Sequence, residues 1–360
     1  MAPGETRVAL DISAAEAAVA LIRDSGRGIP ESEMEARWAA LVGSPAYAAW
    51  ASACSLTPDE ALAALRRCPP KPHGTIPEVL PPPVRGVLAA FAEGRRHVDE
   101  LSARLAQAQA LRIADAADRA LALLPTGTPL QATVYVLLSG DRQGLANGRA
   151  EVSLDLLSIP ATSAQQLTMP LVAHELHHIG FDWCQVRDRH AQRVLAAGGA
   201  RAAAAWALRM LLSEGTANAF FTPLDEEWVE AMAPALTDEY GVDFVDTWSQ
   251  RLKADRCRLP ELVHELDSML ALLASGKEIP AAISYVRGIT TPRDNLARPV
   301  AHFLGEAMVT AIRRQEGDEA AVAAIADLRR FVPAYQDAAE AVGLPRLRDE
   351  TVASINRLWE

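Results

Sequence analysis

The sequence predicts a mainly α-helical fold with one small antiparallel β region. Two observations carry that expectation. Half of the 360 residues are hydrophobic, and most of the chain repeats them at helical spacing between prolines and glycines. Only residues 131–158 change pattern, first to β-branched residues and then to strict alternation. The pattern divides the chain into a helical part over 1–128, a central core over 129–224 and a second helical part over 225–360.

Residues 13–23 read as a helix, with Ser13 and Glu16 placed as a capping box, ended by Gly26, Gly28 and Pro30. A second helix over 31–42 carries Trp38, and Tyr47 and Trp50 follow as core anchors. Seven prolines in CPPKPHGTIPEVLPPPV, 68–84, make a stiff connector in which His73 has no assigned role. Residues 85–124 carry the longest helical signal, with a break expected near Gly94.

QATVYVLLSG, 131–140, is rich in β-branched residues and predicts a strand. DRQGLANGRA makes the turn, with Asn147-Gly148 a favourable corner. In 150–158, Val152, Leu154 and Leu156 alternate with polar residues, as on a half-buried or edge strand. An edge strand there could pair with an extended peptide through main-chain hydrogen bonds.

The stretch LVAHELHHIGFDW, 171–183, follows at once and contains His174-Glu175-Leu176-His177-His178, an HExxH pattern. On a helix, residues four apart are offset by about 40°, so His174 and His178 share one face. Two imidazoles on one face can hold a zinc ion, and Glu175 is placed to act on a metal-bound water. The helix starts between Ser163 and Pro170 and ends near Gly180; Ser163 with Gln166 would cap it, and Pro170 would sit best at a first helical position. His177 flanks the ligand face, in a supporting or surface role. Asp182 could fix a ligand imidazole or cap the last turn.

A catalytic zinc takes a third protein ligand. The HExxHxxGxxH route fails: Gly180 comes one place early, and Cys184 stands where its last histidine would be. Helices are expected over 186–197, stopped by Gly198-Gly199, and over 200–221. On the second, Glu214 lies 36 residues after His178, among Met210, Leu211, Leu212, Ala217 and Phe220. A carboxylate in such apolar company needs a cation, which makes Glu214 the candidate ligand beside the alternative of an ordinary helix glutamate.

With these residues the chain resembles the gluzincin-type peptidases. More closely, it is similar to families of zinc-dependent peptidases whose third ligand lies in an EGxA segment on a later helix. The matching residues are His174, Glu175, His178 and Glu214-Gly215-Thr216-Ala217. HFLGEAMVTAI, 302–312, resembles a YxxGxxM helix of such families through Gly305 and Met308, with His302 in the tyrosine's place. The resemblance covers about residues 130–316. It implies a zincin-like core over 129–224 and a metal bound by His174, His178 and Glu214. It also implies Glu175 as general base and an oxyanion donor, for which His302, Tyr285 and Arg298 are candidates. His264-Glu265 imitates the motif start, but Ser268 replaces the second histidine, so an ordinary amphipathic helix is expected.

A net charge of −11 disfavours general affinity for nucleic acid or anionic membranes. Cys54, Cys68, Cys184 and Cys257 form no CxxC pair and read as reduced thiols. The N-terminal stretch lacks the basic start and apolar core of a signal peptide, and no segment is apolar enough to span a membrane. The expectation is a cytoplasmic zinc metallohydrolase acting on peptides or amides with restricted specificity. The alternatives are a zinc enzyme tailoring a small metabolite and a non-catalytic metal-binding helical protein. Substrate and oligomeric state are not encoded in any motif.

Overall fold

The computed structural model describes residues 5–54, 57–70, 75–141, 144–147, 150–223, 226–291, 296 and 298–360. His73 and the Gly148 half of the expected corner lie outside them. The chain is mainly α with a four-stranded sheet, and it divides into two compact units.

The sheet unit holds residues 5–119 and 130–179. It opens with β1 (Thr6–Asp11), which the sequence pattern did not reveal. Then come α1 (Ser13–Ser25), α2 (Glu31–Val42), α3 (Pro45–Ala53), α4 (Pro58–Arg67), α5 (Pro82–Gly94), α6 (Val98–Gln109) and α7 (Ile113–Ala122). The signal over 85–124 thus breaks twice, near Gly94 as expected and again before Ile113. Ser13 is the first residue of α1 and its amide donates to the Asp11 carboxylate at 2.9 Å; the N-cap position falls to Ile12, in place of the expected Ser13–Glu16 box. Strands β2 (Leu130–Leu137), β3 (Gly144–Ala146) and β4 (Glu151–Asp155) complete the sheet, and α8 (Ala164–Gln185) follows.

The strand order is β1-β2-β4-β3. β1 and β4 both run parallel to β2, and only β3 and β4 are antiparallel. The sheet is therefore mixed, which corrects the antiparallel expectation. It also corrects the edge: β4 lies inside the sheet with Val152–Asp155 buried, and β3 is the terminal strand. The central β2 alternates buried and half-buried residues as its sequence predicts.

Buried aromatics fix the loop after β2. The Tyr47 hydroxyl donates to the Leu138 carbonyl at 2.8 Å, and the Trp50 indole to Asp141 at 3.1 Å. Trp38 donates to Leu65 and meets Phe91 edge-on, with ring centroids 5.0 Å apart. Arg104, itself buried, donates to the Ile159 carbonyl at 2.7 Å and so ties α6 to the connection between β4 and α8.

The helical unit takes residues 120–129 and 180–360. Beyond the end of α8 it contains α9 (Arg189–Ala197), α10 (Gly199–Phe221), α11 (Glu226–Tyr240), α12 (Val242–Cys257) and α13 (Leu259–Ala274). These are followed by α14 (Pro280–Arg287), α15 (Val300–Glu316), α16 (Asp318–Ala326), α17 (Phe331–Ala339) and α18 (Asp349–Asn356). α9 stops at Gly198 and Gly199, whose φ of 71° and 70° suit glycine. His264 sits exposed on α13, as an amphipathic helix requires. The core gathers around α10 and α15, which pack along each other. Among the described residues, no helix is long and apolar enough to cross a membrane.

Candidate metal centre

α8 presents the motif. Ser163, at φ 53°, precedes it and accepts from the Gln166 and Leu167 amides. Pro170 lies within the helix and not at its first position, and α8 runs past Gly180 to Gln185. Gly180 sits under Leu124, where a methyl group would collide, so this glycine serves packing and not helix termination.

Val172, Ala173 and Leu176 are fully buried, which anchors the helix and fixes the direction of its other face. There the Nε2 atoms of His174 and His178 lie 3.1 Å apart, with the rings nearly perpendicular at 80°. Two nitrogens each about 2.0–2.1 Å from one tetrahedral ion stand about 3.3 Å apart. The imidazole pair is therefore spaced for a shared zinc. His177 is fully buried, which removes its surface alternative.

Glu175 is buried as well, and β3 holds it. The Ala146 amide donates to Glu175 Oε2 at 2.9 Å. Asn147 donates to Glu151 on β4, so by antiparallel alternation the main-chain groups of Gly144 and Ala146 turn away from β4. Gly144 leaves room for this approach: a Cβ there would stand 3.0 Å from Glu175 Cγ, so the side chain would have to shift. The strand that touches the motif glutamate is thus a segment whose sequence reads as a turn.

The helical unit arranges the second group. Glu214 on α10 is half-buried, and its Oε2 lies 3.3 Å from His302 Nδ1 on α15. Asn218, fully buried one turn after Glu214, ties the cluster together. Its Nδ2 donates to the Glu214 carbonyl at 2.7 Å and stands 3.3 Å from His302 Nδ1, while its Oδ1 accepts from Arg298 at 2.9 Å. Burial pulls the Arg298 guanidinium below its ordinary value, and Glu306 and Glu214 pull it back up. Arg298, a candidate oxyanion donor by sequence, has Asn218 as a partner. Sequence reasoning missed Asn218 altogether, because a lone helix asparagine carries no motif.

Two motif glycines meet here. A Cβ on Gly215 would collide with the Gly305 carbonyl, and one on Gly305 with the Leu211 carbonyl. EGTA and HFLGEAM thus each contribute one side of a close helix crossing. Tyr285 stands half-buried on α14, packed against the core of this unit. Asp182 makes an ion pair with Arg209 at 2.6 Å, the partner that neither reading of its sequence position supplied.

A family model described as "Putative zinc dependent peptidase (DUF5700)" matches residues 69–342. The chain belongs to that family. The match spans His174, Glu175, His178, Glu214, Tyr285 and His302, and the family's description brings zinc dependence with it. No curated protein and no solved structure matches the chain.

Proposed function

We propose that the chain is a zinc metallopeptidase of restricted specificity, in which His174, His178 and Glu214 hold the ion and Glu175 is the general base. The observation that carries this reading is the pair of Nε2 atoms 3.1 Å apart, on a buried His174 and a half-buried His178, beside a carboxylate held by a strand amide. Three ligands of the type His, His, Glu leave a zinc one open position for chemistry. Bound zinc would supply Lewis acidity to the substrate carbonyl and acidify a water.

The remaining steps belong to the chain. Glu175 takes the proton of the attacking water on Oε1 and returns it to the leaving nitrogen. The Ala146 amide on Oε2 keeps the carboxylate aimed while it does so. His302 is our candidate donor to the developing oxyanion, through Nε2, since Nδ1 faces Glu214 and Asn218. Tyr285 is the second candidate. The outward main-chain groups of Gly144 and the Ala146 carbonyl give an extended peptide a short edge to pair with, the Ala146 amide being taken by Glu175, and a strand of three residues supports few subsites.

The test uses metal content and peptide hydrolysis together. Glu175→Gln should keep stoichiometric zinc while hydrolysis falls by roughly 10²–10⁴-fold. His174→Ala and Glu214→Ala should each lose zinc by mass spectrometry. Stoichiometric zinc surviving both changes refutes the ligand set, and full activity in Glu175→Gln refutes the mechanism.

A further inference from the structure

One surface cavity of the helical unit is lined by charges of both signs and by apolar side chains. Arg256 on α12 and Glu306, Thr310 and Arg314 on α15 line it, together with the apolar Phe303 and Leu344. None of these residues is a candidate metal ligand. The cavity measures about 140 Å³, close to the ~150 Å³ of an apolar cavity that accepts benzene. It suits one molecule of amino-acid size or smaller.

The charges decide which molecule. Glu306 is buried and lies 3.9 Å from Arg256, so these two formal charges offset each other. Arg314, exposed in the last turn of α15, adds a second guanidinium, and the lining carries two positive charges against one negative. A single anionic group balances it. Guanidinium forks match a carboxylate in geometry as well as charge, and the apolar Phe303 and Leu344 in the lining favour a short hydrocarbon over a hydrated ion. We propose that this cavity binds a small carboxylic acid with a short apolar body, in its ionised form.

The experiment is calorimetric titration of the full chain with 4-methylpentanoate, against 3-methylbutylamine as the cationic control of the same body. Saturable binding of the acid and none of the amine is expected. Arg256→Gln should weaken the acid about tenfold, the loss of one charge-assisted hydrogen bond. Ala307→Leu, which leaves every charge in place and fills the cavity, should abolish binding; Ala307 lines the same wall. Far-UV circular dichroism matching the parent shows that each variant is folded. Absence of saturable acid binding up to ~10 mM overturns the proposal. So does equal binding of the amine, or acid affinity unchanged in both variants.

Discussion

Two close-packed glycine contacts, one taken from each unit, meet different kinds of neighbour. In the helical unit Gly215 and Gly305 put backbone against backbone, and a methyl group on either would strike a carbonyl oxygen of the facing helix. In the sheet unit Gly144 faces the side chain of Glu175, with 3.0 Å available to a Cβ. Backbone in a helix pair cannot step aside without moving the whole element, whereas a side chain can turn. The first contact therefore governs stability, and the second governs where the Glu175 carboxylate points.

Gly305→Ala probes the rigid side of this contrast and should have the largest effect. Overpacking costs about 1–3 kcal/mol, and a collision with backbone belongs at the upper end. Alanine's better helix propensity returns about 1 kcal/mol. A net loss of about 2 kcal/mol should lower the thermal midpoint by roughly 4–8 °C, measured by circular dichroism. A midpoint within a degree of the parent would mean that the crossing of α10 and α15 opens freely, and the contrast would collapse.

Gly144→Ala probes the yielding side. Glu175 can turn to relieve the contact, so the stability loss should stay below about 1 kcal/mol. The turn displaces Oε2 from the Ala146 amide, and peptide hydrolysis should fall about tenfold if that hydrogen bond positions the base. Zinc content should not change, since no ligand is touched. A stability loss as large as that of Gly305→Ala would place the strand among the rigid contacts.

The same contrast explains what could be read in the sequence. The approach of His174 to His178 is legible because a single helix enforces their spacing. The strong β pattern of residues 131–137 is legible for the same local reason. β3 is not: Gly144-Leu145-Ala146 has no β-branched residue, and its strand character comes from pairing with β4. The polar members of β4 also misled, because Ser153 and Asp155 are buried, and Asp155 accepts from the Ser139 and Leu157 amides. β1 pairs with a strand more than a hundred residues later, and Gly215 meets Gly305 across ninety. No local pattern announces such contacts. Glu214 stands out in the sequence by its apolar company, whereas its contacts with His302 and Asn218 emerge only from packing.

Asp182 offers the smallest effect and separates fold from metal within α8 itself. It lies past Gly180, in the part of the helix that belongs to the helical unit, and bonds Arg209 at 2.6 Å. The carboxylate is 39 % exposed, so solvent screens the pair and its loss should cost under about 1 kcal/mol. Asp182→Asn should therefore leave the thermal midpoint nearly unchanged and zinc affinity equal to the parent's, measured by competition with a chelator. A residue that oriented a ligand imidazole would weaken the metal by about 10–100-fold when changed. A loss of that size would transfer Asp182 to the metal centre and move the division between packing and chemistry one turn further along α8.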